Sequence, residues 1–259
     1  MPPSLEPLLP HVPAFLLVLF RMTGIFVFAP LFSSSLVPMP LKALLAMTLS
    51  FCVYPLVPPQ LPVELSLMTM SVAVTSELLI GLVIGYGATL PLVAMQLGGL
   101  LMGQQLGLGL AQVFSPDFEE QTEVMGTLLY LTAVTIFIML NGHHALLTVL
   151  VGSFENVPLG GYAPDQQLLQ MIVGLLGSMM ELGIRVAAPL LCMVFLETVA
   201  MGFVARTVPQ LNVLSLGFPL RIIMGTILLI GTVGMMYELL LPEARDAIVM
   251  LFQLFGPSG

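Results

Sequence analysis

The chain has 259 residues, of which 58% are hydrophobic and only 8% charged, with a formal net charge of −8. Soluble domains carry about 25% charged residues, so six Lys plus Arg and fourteen Asp plus Glu cannot coat a water-soluble surface of this size. These values argue against a soluble enzyme, a disordered regulator, a disulfide scaffold and a nucleic-acid binder, and leave an integral membrane protein or a subunit buried in an apolar assembly.

Residues 1–12 hold Glu6 and four prolines but no Lys or Arg, unlike a cleaved secretory signal, and read as a mature N-terminal tail. A membrane-crossing helix needs about 20 mostly apolar residues. Six segments approach or exceed that length. Pro13–Phe32 is interrupted by Arg21, and Leu41–Val57 opens with Lys42. Met68–Met102 contains Glu77 and Pro91. Thr122–Val151 follows, then Leu168–Val204 with Glu181, Arg185, Pro189 and Glu197, and finally Val213–Leu241. Residues 242–259 read as a C-terminal tail. Pro91 and Pro189 are the expected bends, because proline removes a backbone donor and crowds the preceding turn. No ten-residue stretch alternates apolar and polar, which argues against a transmembrane barrel. The expected fold is all-α: a single domain over 1–259, built of membrane-associated hairpins of about six long apolar helices, some broken by proline.

Charge sets an orientation. Lys42 lies in the first connection, and Arg206 and Arg221 bracket the fifth, whereas Glu64, Glu155 and Asp165 occupy the second and fourth. The positive-inside rule then places odd connections in the cytoplasm and both termini outside. The third connection, 104–121, violates it: Asp117, Glu119 and Glu120, with Glu123 just beyond, have no base among them. This segment is therefore not an ordinary surface loop.

It follows a glycine-dense stretch from Gly98 to Gly109. Gly99, Gly103 and Gly107 recur every four residues and on a helix form one smooth stripe; Gly81 and Gly85 begin another. Two readings stand: close packing within the chain, or an element lining a conduit. Ser115 is a plausible helix cap and Pro116 suits the first helical position, which puts the acids at the positive end of a helix dipole. Alternatively the acids form a mouth that attracts cations or basic segments. Phe114 and Phe118 flank the turn and either pack or stopper a pore.

Charges inside apolar segments are costly. Glu181 and Arg185 are spaced to pair on one helical face, while Arg21 and Glu77 are expected to find partners across the bundle; Glu197 is a further charge in apolar surroundings. They read as structural pairs, as groups facing a watery cavity, or as a relay; a proton-coupled small-molecule transporter is the alternative function they support. Asn141-Gly142-His143-His144 ends or kinks the fourth segment, and adjacent histidines point about 100° apart on a helix, poorly placed to share a metal. Cys52 and Cys192 read as small buried hydrophobes. No HExxH, GxSxG or phosphate-binding loop occurs, so no catalytic residue, cofactor or metal is expected.

Taken in order, Arg21, Ala29-Pro30-Leu31-Phe32, Val37-Pro38, Lys42, Glu77 with Gly81 and Gly85, the Gly98–Gly107 stretch with Gln104 and Gln105, Pro116, Asn141-Gly142-His143, Ser153-Phe154 and Pro158-Leu159 resemble the FliR family, subunits of the flagellar type III export gate. The likeness covers about Pro13 to Leu241. It implies a non-enzymatic subunit of a helical assembly with FliP and FliQ, adjoined by FlhB and FlhA, in the bacterial inner membrane at the flagellar basal body. Unfolded flagellar subunits pass through that assembly, and much of it stands above the bilayer plane. It further implies that the loop after the glycine stretch, about Leu106 to Phe118, plugs the closed pore, with Phe114 the leading bulky candidate and Gln104, Gln105, Gly107, Pro116 and Phe118 beside it. The injectisome has a homologous subunit.

Overall fold

A computed structural model describes residues 11–30, 32, 37–57, 67–108, 124–162, 165–208, 210 and 213–256. The described residues form helices and no strand. They are α1 (His11–Phe28), α2 (Met39–Val53, continued by a 3-10 turn Tyr54–Leu56), α3 (Leu67–Gln105), α4 (Val124–Met139), α5 (Gly142–Asn156), α6 (Gln166–Thr207) and α7 (Val213–Phe255). α1, α2, α3, α6 and α7 are each long and apolar enough to cross a membrane, and α4 with α5 supplies a sixth, bent candidate.

The prolines do not break these helices. Pro91 lies inside α3, Pro189 inside α6, and Pro219 and Pro242 inside α7. In apolar surroundings an ended helix would strand several backbone groups, whereas a proline costs one hydrogen bond, so continuing is the cheaper outcome. The break comes at Asn141, whose left-handed backbone (φ 57°, ψ 28°) separates α4 from α5 with a bend of 68°. The Asn141 carbonyl accepts from the amides of His144 (2.9 Å) and Ala145 (3.2 Å), which starts α5. Gly142 sits beneath the Phe137 ring, where any side chain would collide. Asn tolerates this backbone and β-branched residues do not. Asn141→Val is expected to cost about 1–2 kcal/mol, read as a lower melting temperature of the purified protein, while Asn141→Gly stays near wild type.

The helices pack as two compact units. α3, at about 59 Å, and α6 and α7, at about 63–65 Å, each contribute residues to both units. The first comprises residues 1–90, 137–175 and 244–259. Its core joins Leu17, Met22 and Ile25 of α1, Ile80 and Ile84 of α3, Leu146 and Leu150 of α5, and Leu251 and Phe255 of α7. The expected C-terminal tail is therefore a correction: Ala244, Ala247, Leu251 and Phe255 are buried at three- and four-residue spacing on one helical face. In the connection after α5, burial and then the Asp165 carboxylate push the Tyr162 phenol above its usual range.

The second unit comprises residues 91–136 and 176–243. It is held by α3, α4, α6 and α7 through glycine contacts described below. Much apolar surface is left open on the outer helices: Phe51 on α2, Phe195 and Phe203 on α6, and Ile227 and Ile230 on α7 are all exposed. Cys52 and Cys192 are exposed too, contrary to the expectation from their apolar surroundings; both face outward from helices that present greasy surface on that side.

Candidate functional site

Within the first unit, α3 meets α1 along a row of residues four apart. Glu77, Gly81, Gly85 and Thr89 face Arg21, Gly24, Ile25 and Phe28. A Cβ on Gly81 would strike the Arg21 carbonyl oxygen, and one on Gly24 would lie 2.5 Å from the Leu78 oxygen. At Gly85 the Ile25 oxygen would be 2.9 Å away. The two backbones thus touch, which places Arg21 opposite Glu77. Gly24 and Thr89 had no distinguishing signal in the sequence.

Arg21 and Glu77 are both wholly buried. Arg21 Nε donates to Glu77 Oε2 (2.5 Å) and Nη2 to Glu77 Oε1 (3.0 Å), a bidentate pair. Nη1 donates to the backbone oxygen (2.9 Å) and Oγ (3.0 Å) of Ser153, and Nη2 also to the Val157 oxygen (3.1 Å). All five guanidinium N–H groups are therefore used. The Ser153 and Val157 carbonyls belong to the C-terminus of α5, so the cation also meets the negative end of that helix. Phe154 lies over the guanidinium carbon at 4.2 Å. Glu77 Oε1 accepts a further bond from the Gly160 amide (2.7 Å), in a turn where Gly160 has φ +70°. One buried ion pair thus ties α1, α3, the end of α5 and the turn after it.

The other charges singled out within apolar segments, Glu181, Arg185 and Glu197, lie in the second unit. Glu181 and Arg185 pair at 2.5 Å on α6, and Arg185 also reaches Glu243 of α7 at 3.6 Å. These side chains stay open, Glu181 at 69% and Arg185 at 50%. Glu197 is paired with Arg221 at 2.6 Å, a partner the sequence had not matched to it, and its side chain is only 4% exposed.

The glycine stretch packs on three helices. Gly99 abuts α4, where a Cβ would lie 2.6 Å from the Met125 oxygen, and Gly98 abuts α6, 3.0 Å from the Gly183 oxygen. Leu106 inserts against Gly225 of α7, leaving no room there for a side chain. Gly103 is buried, whereas Gln104 and Gln105 are exposed on the last turn of α3. Gly107 does not continue the stripe, because α3 has already ended: it has φ +75°. The Leu108 amide bonds the Gly103 oxygen (3.2 Å) and the Gly107 amide the Gln104 oxygen (3.1 Å). That crossed pair is a Schellman termination, which needs a left-handed residue and so selects glycine. Phe114, Pro116, Phe118 and the acids from Asp117 to Glu123 lie outside the described residues. The His143 and His144 ring centroids lie 4.2 Å apart with the planes tilted by 41°, and among the described residues no group of three or more His, Cys, Asp or Glu is placed to hold a metal.

Comparison with known proteins matches residues 12–246 to the family described as bacterial export proteins, family 1. The chain is 31% identical over 230 residues to the flagellar biosynthetic protein FliR of Bacillus subtilis, covering 87% of this chain and 88% of that one. It is 29% identical to the FliR of Escherichia coli, covering 92% and 89%. It is also 30% identical to Yop proteins translocation protein T of Yersinia pestis, covering 83% of each.

Proposed function

The chain belongs to the bacterial export proteins, family 1, and on that premise we propose that it is a core subunit of the flagellar type III protein export gate, a multi-pass protein of the inner membrane at the flagellar basal body. The observation that carries this reading is the family match along nearly the whole chain, joined to likeness with both flagellar and Yop translocation proteins. The role needs no catalysis. Its partners in this reading are FliP- and FliQ-like subunits, FlhB- and FlhA-like proteins, membrane lipid, and unfolded flagellar substrates in transit. Open apolar faces on α2, α6 and α7 are the kind of surface that such subunits and lipid would cover.

In this reading segment 104–121 is the seal, with Phe114 filling the passage and Gln104, Gln105, Gly107, Pro116 and Phe118 around it. Support comes from its root. The Schellman termination at Gly107 and the seat of Leu106 against Gly225 hold the end of α3 firmly, so a seal attached there would start from a fixed point. A tagged chain is expected to co-purify with its companion subunits, and Phe114→Gly to raise ion leak in cells carrying the complete complex. A chain that purifies alone and catalyses solute uptake in liposomes would overturn the reading; unchanged leak would overturn the role of Phe114.

An injectisome role is the second reading, favoured by the likeness to the Yop protein; loss of motility on deleting the gene decides for the flagellum. The proton-coupled carrier, which rested on Glu77, Glu181, Arg185 and Glu197, loses the support of Glu77. There every guanidinium donor and both Glu77 oxygens are already engaged, which suits a structural tie rather than a relay.

A further inference from the structure

The chain passes between its two compact units four times: in α3 after Leu90, in α4 after Ile136, in α6 after Leu175 and in α7 after Glu243. Each unit packs on side chains of its own. Among the described residues, every member of the first unit's core lies within that unit. Met95, Leu129, Val186 and Met236 are buried in the second unit, and none of them joins that core. The ion pairs are divided in the same way. Arg21 and Glu77 both belong to the first unit, whereas Glu181, Arg185, Glu197, Arg221 and Glu243 all belong to the second.

The helices are weak where they cross. Pro91 is the first residue past the α3 crossing, and a proline there has no amide to offer the Gly87 carbonyl. Pro242 stands beside the α7 crossing and withholds an amide from the Glu238 carbonyl in the same way. The α4 crossing lies just before Asn141, whose left-handed backbone ends that helix. Gly174 and Gly177 flank the α6 crossing, and a Cβ on either would meet nothing within 4 Å. No contact demands glycine at these two positions, although glycine weakens a helix interior. Gly202, Gly231 and Gly234 are equally open away from the crossings, so Pro91, Asn141 and Pro242 carry the most weight.

We propose that these four places act together as a hinge, at which α3, the α4–α5 joint, α6 and α7 flex while each unit moves as a rigid body. A helix yields where a rung of its hydrogen-bond ladder is missing or where no side chain restricts the backbone. Bending there strains neither core. Bending inside either unit would instead pull apart side chains packed as densely as an organic crystal. The ion pairs need not break either, since each joins residues of one unit. The inference goes beyond the export-gate reading and does not depend on it.

The test labels the full chain, purified in detergent, with nitroxide pairs in a Cys52→Ser, Cys192→Ser background. Val72→Cys with Leu169→Cys reports inside the first unit and Leu131→Cys with Ile230→Cys inside the second, while Val72→Cys with Ile230→Cys reports across the crossings; all four positions are exposed. Distance distributions from pulsed electron–electron resonance are expected to be narrow within each unit and about twofold broader across the crossings. Pro91→Ala, Gly174→Ala, Gly177→Ala and Pro242→Ala combined are expected to narrow the third distribution to the width of the other two. Pro189→Ala, inside the second unit, is expected to leave it unchanged. Three distributions of equal width before any stiffening would overturn the proposal, a result that needs no stiffened variant to fold. So would a stiffened chain as broad as before, or an equal narrowing by Pro189→Ala. None of these outcomes bears on the export-gate reading, which co-purification with companion subunits tests.

Discussion

Arg21→Met is expected to destabilise the protein by about 3–5 kcal/mol, because it strands a buried carboxylate without its counter-charge. Glu77→Leu should do the same from the other side. Each single change also orphans a backbone group: the Val157 carbonyl in the first case, the Gly160 amide in the second, whereas the Ser153 carbonyl keeps the Val157 amide. Each orphan adds about 1–3 kcal/mol. The double variant removes both charges and should be much less unstable than the sum of the singles, yet still worse than wild type because the backbone groups stay unpaired. The measurement is a double-mutant cycle on thermal unfolding of the detergent-purified protein, checked against its level in membranes. Additive effects would show that the two side chains do not stabilise each other. Single variants as stable as wild type would show that the cluster is ornamental.

Gly81→Val is the second large effect expected. No rotamer helps, since the collision begins at the Cβ atom and its target is the backbone oxygen of Arg21. α1 must therefore move off α3, and overpacking of this kind costs about 1–3 kcal/mol. The displacement also lengthens the Arg21–Glu77 contact one turn away, so the loss should approach that of the ion-pair variants. Gly81→Ala should already be harmful. Gly174→Ala is the control: it too sits in a long helix, but its added methyl meets nothing within 4 Å. Higher helix propensity should make it neutral or up to about 1 kcal/mol more stable in the purified chain. Equal effects at positions 81 and 174 would contradict the backbone contact described between α1 and α3.

Both variants probe features the sequence disclosed only in part. The apolar runs announced the helices, since almost nothing but a helix satisfies its own backbone over such lengths. Arg21 and Glu77 were visible as charges in the wrong solvent, and Gly81 and Gly85 as a smooth stripe. What could not be seen was that these signals form one seam. Arg21 and Glu77 are 56 residues apart, and much of the remaining ligation comes from backbone atoms at 153, 157 and 160, which carry no residue signature. Pro91 and Pro189, expected as bends, lie inside continuous helices, because breaking rules learned in water weigh the lost bond against solvation that an apolar medium does not offer. Gly107 misled in the opposite way. Its spacing fits the stripe, but its positive φ ends the helix. The pairing of Glu197 with Arg221 spans a helical hairpin, and neither residue alone points to the other.

The order of synthesis gives the C-terminal turns of α7 an unusual weight. Leu251 and Phe255 are made long after Leu17 and Met22, yet they lie in the same core with them. That core cannot close before α7 has been made. The early helices must wait in the bilayer with Arg21 and Glu77 already committed to an apolar setting, which favours forming their pair before the rest condenses around it. Stop codons or bulky insertions between Ala244 and Phe255 should therefore act as folding lesions in α1 and α3, far away in sequence from the site of the change.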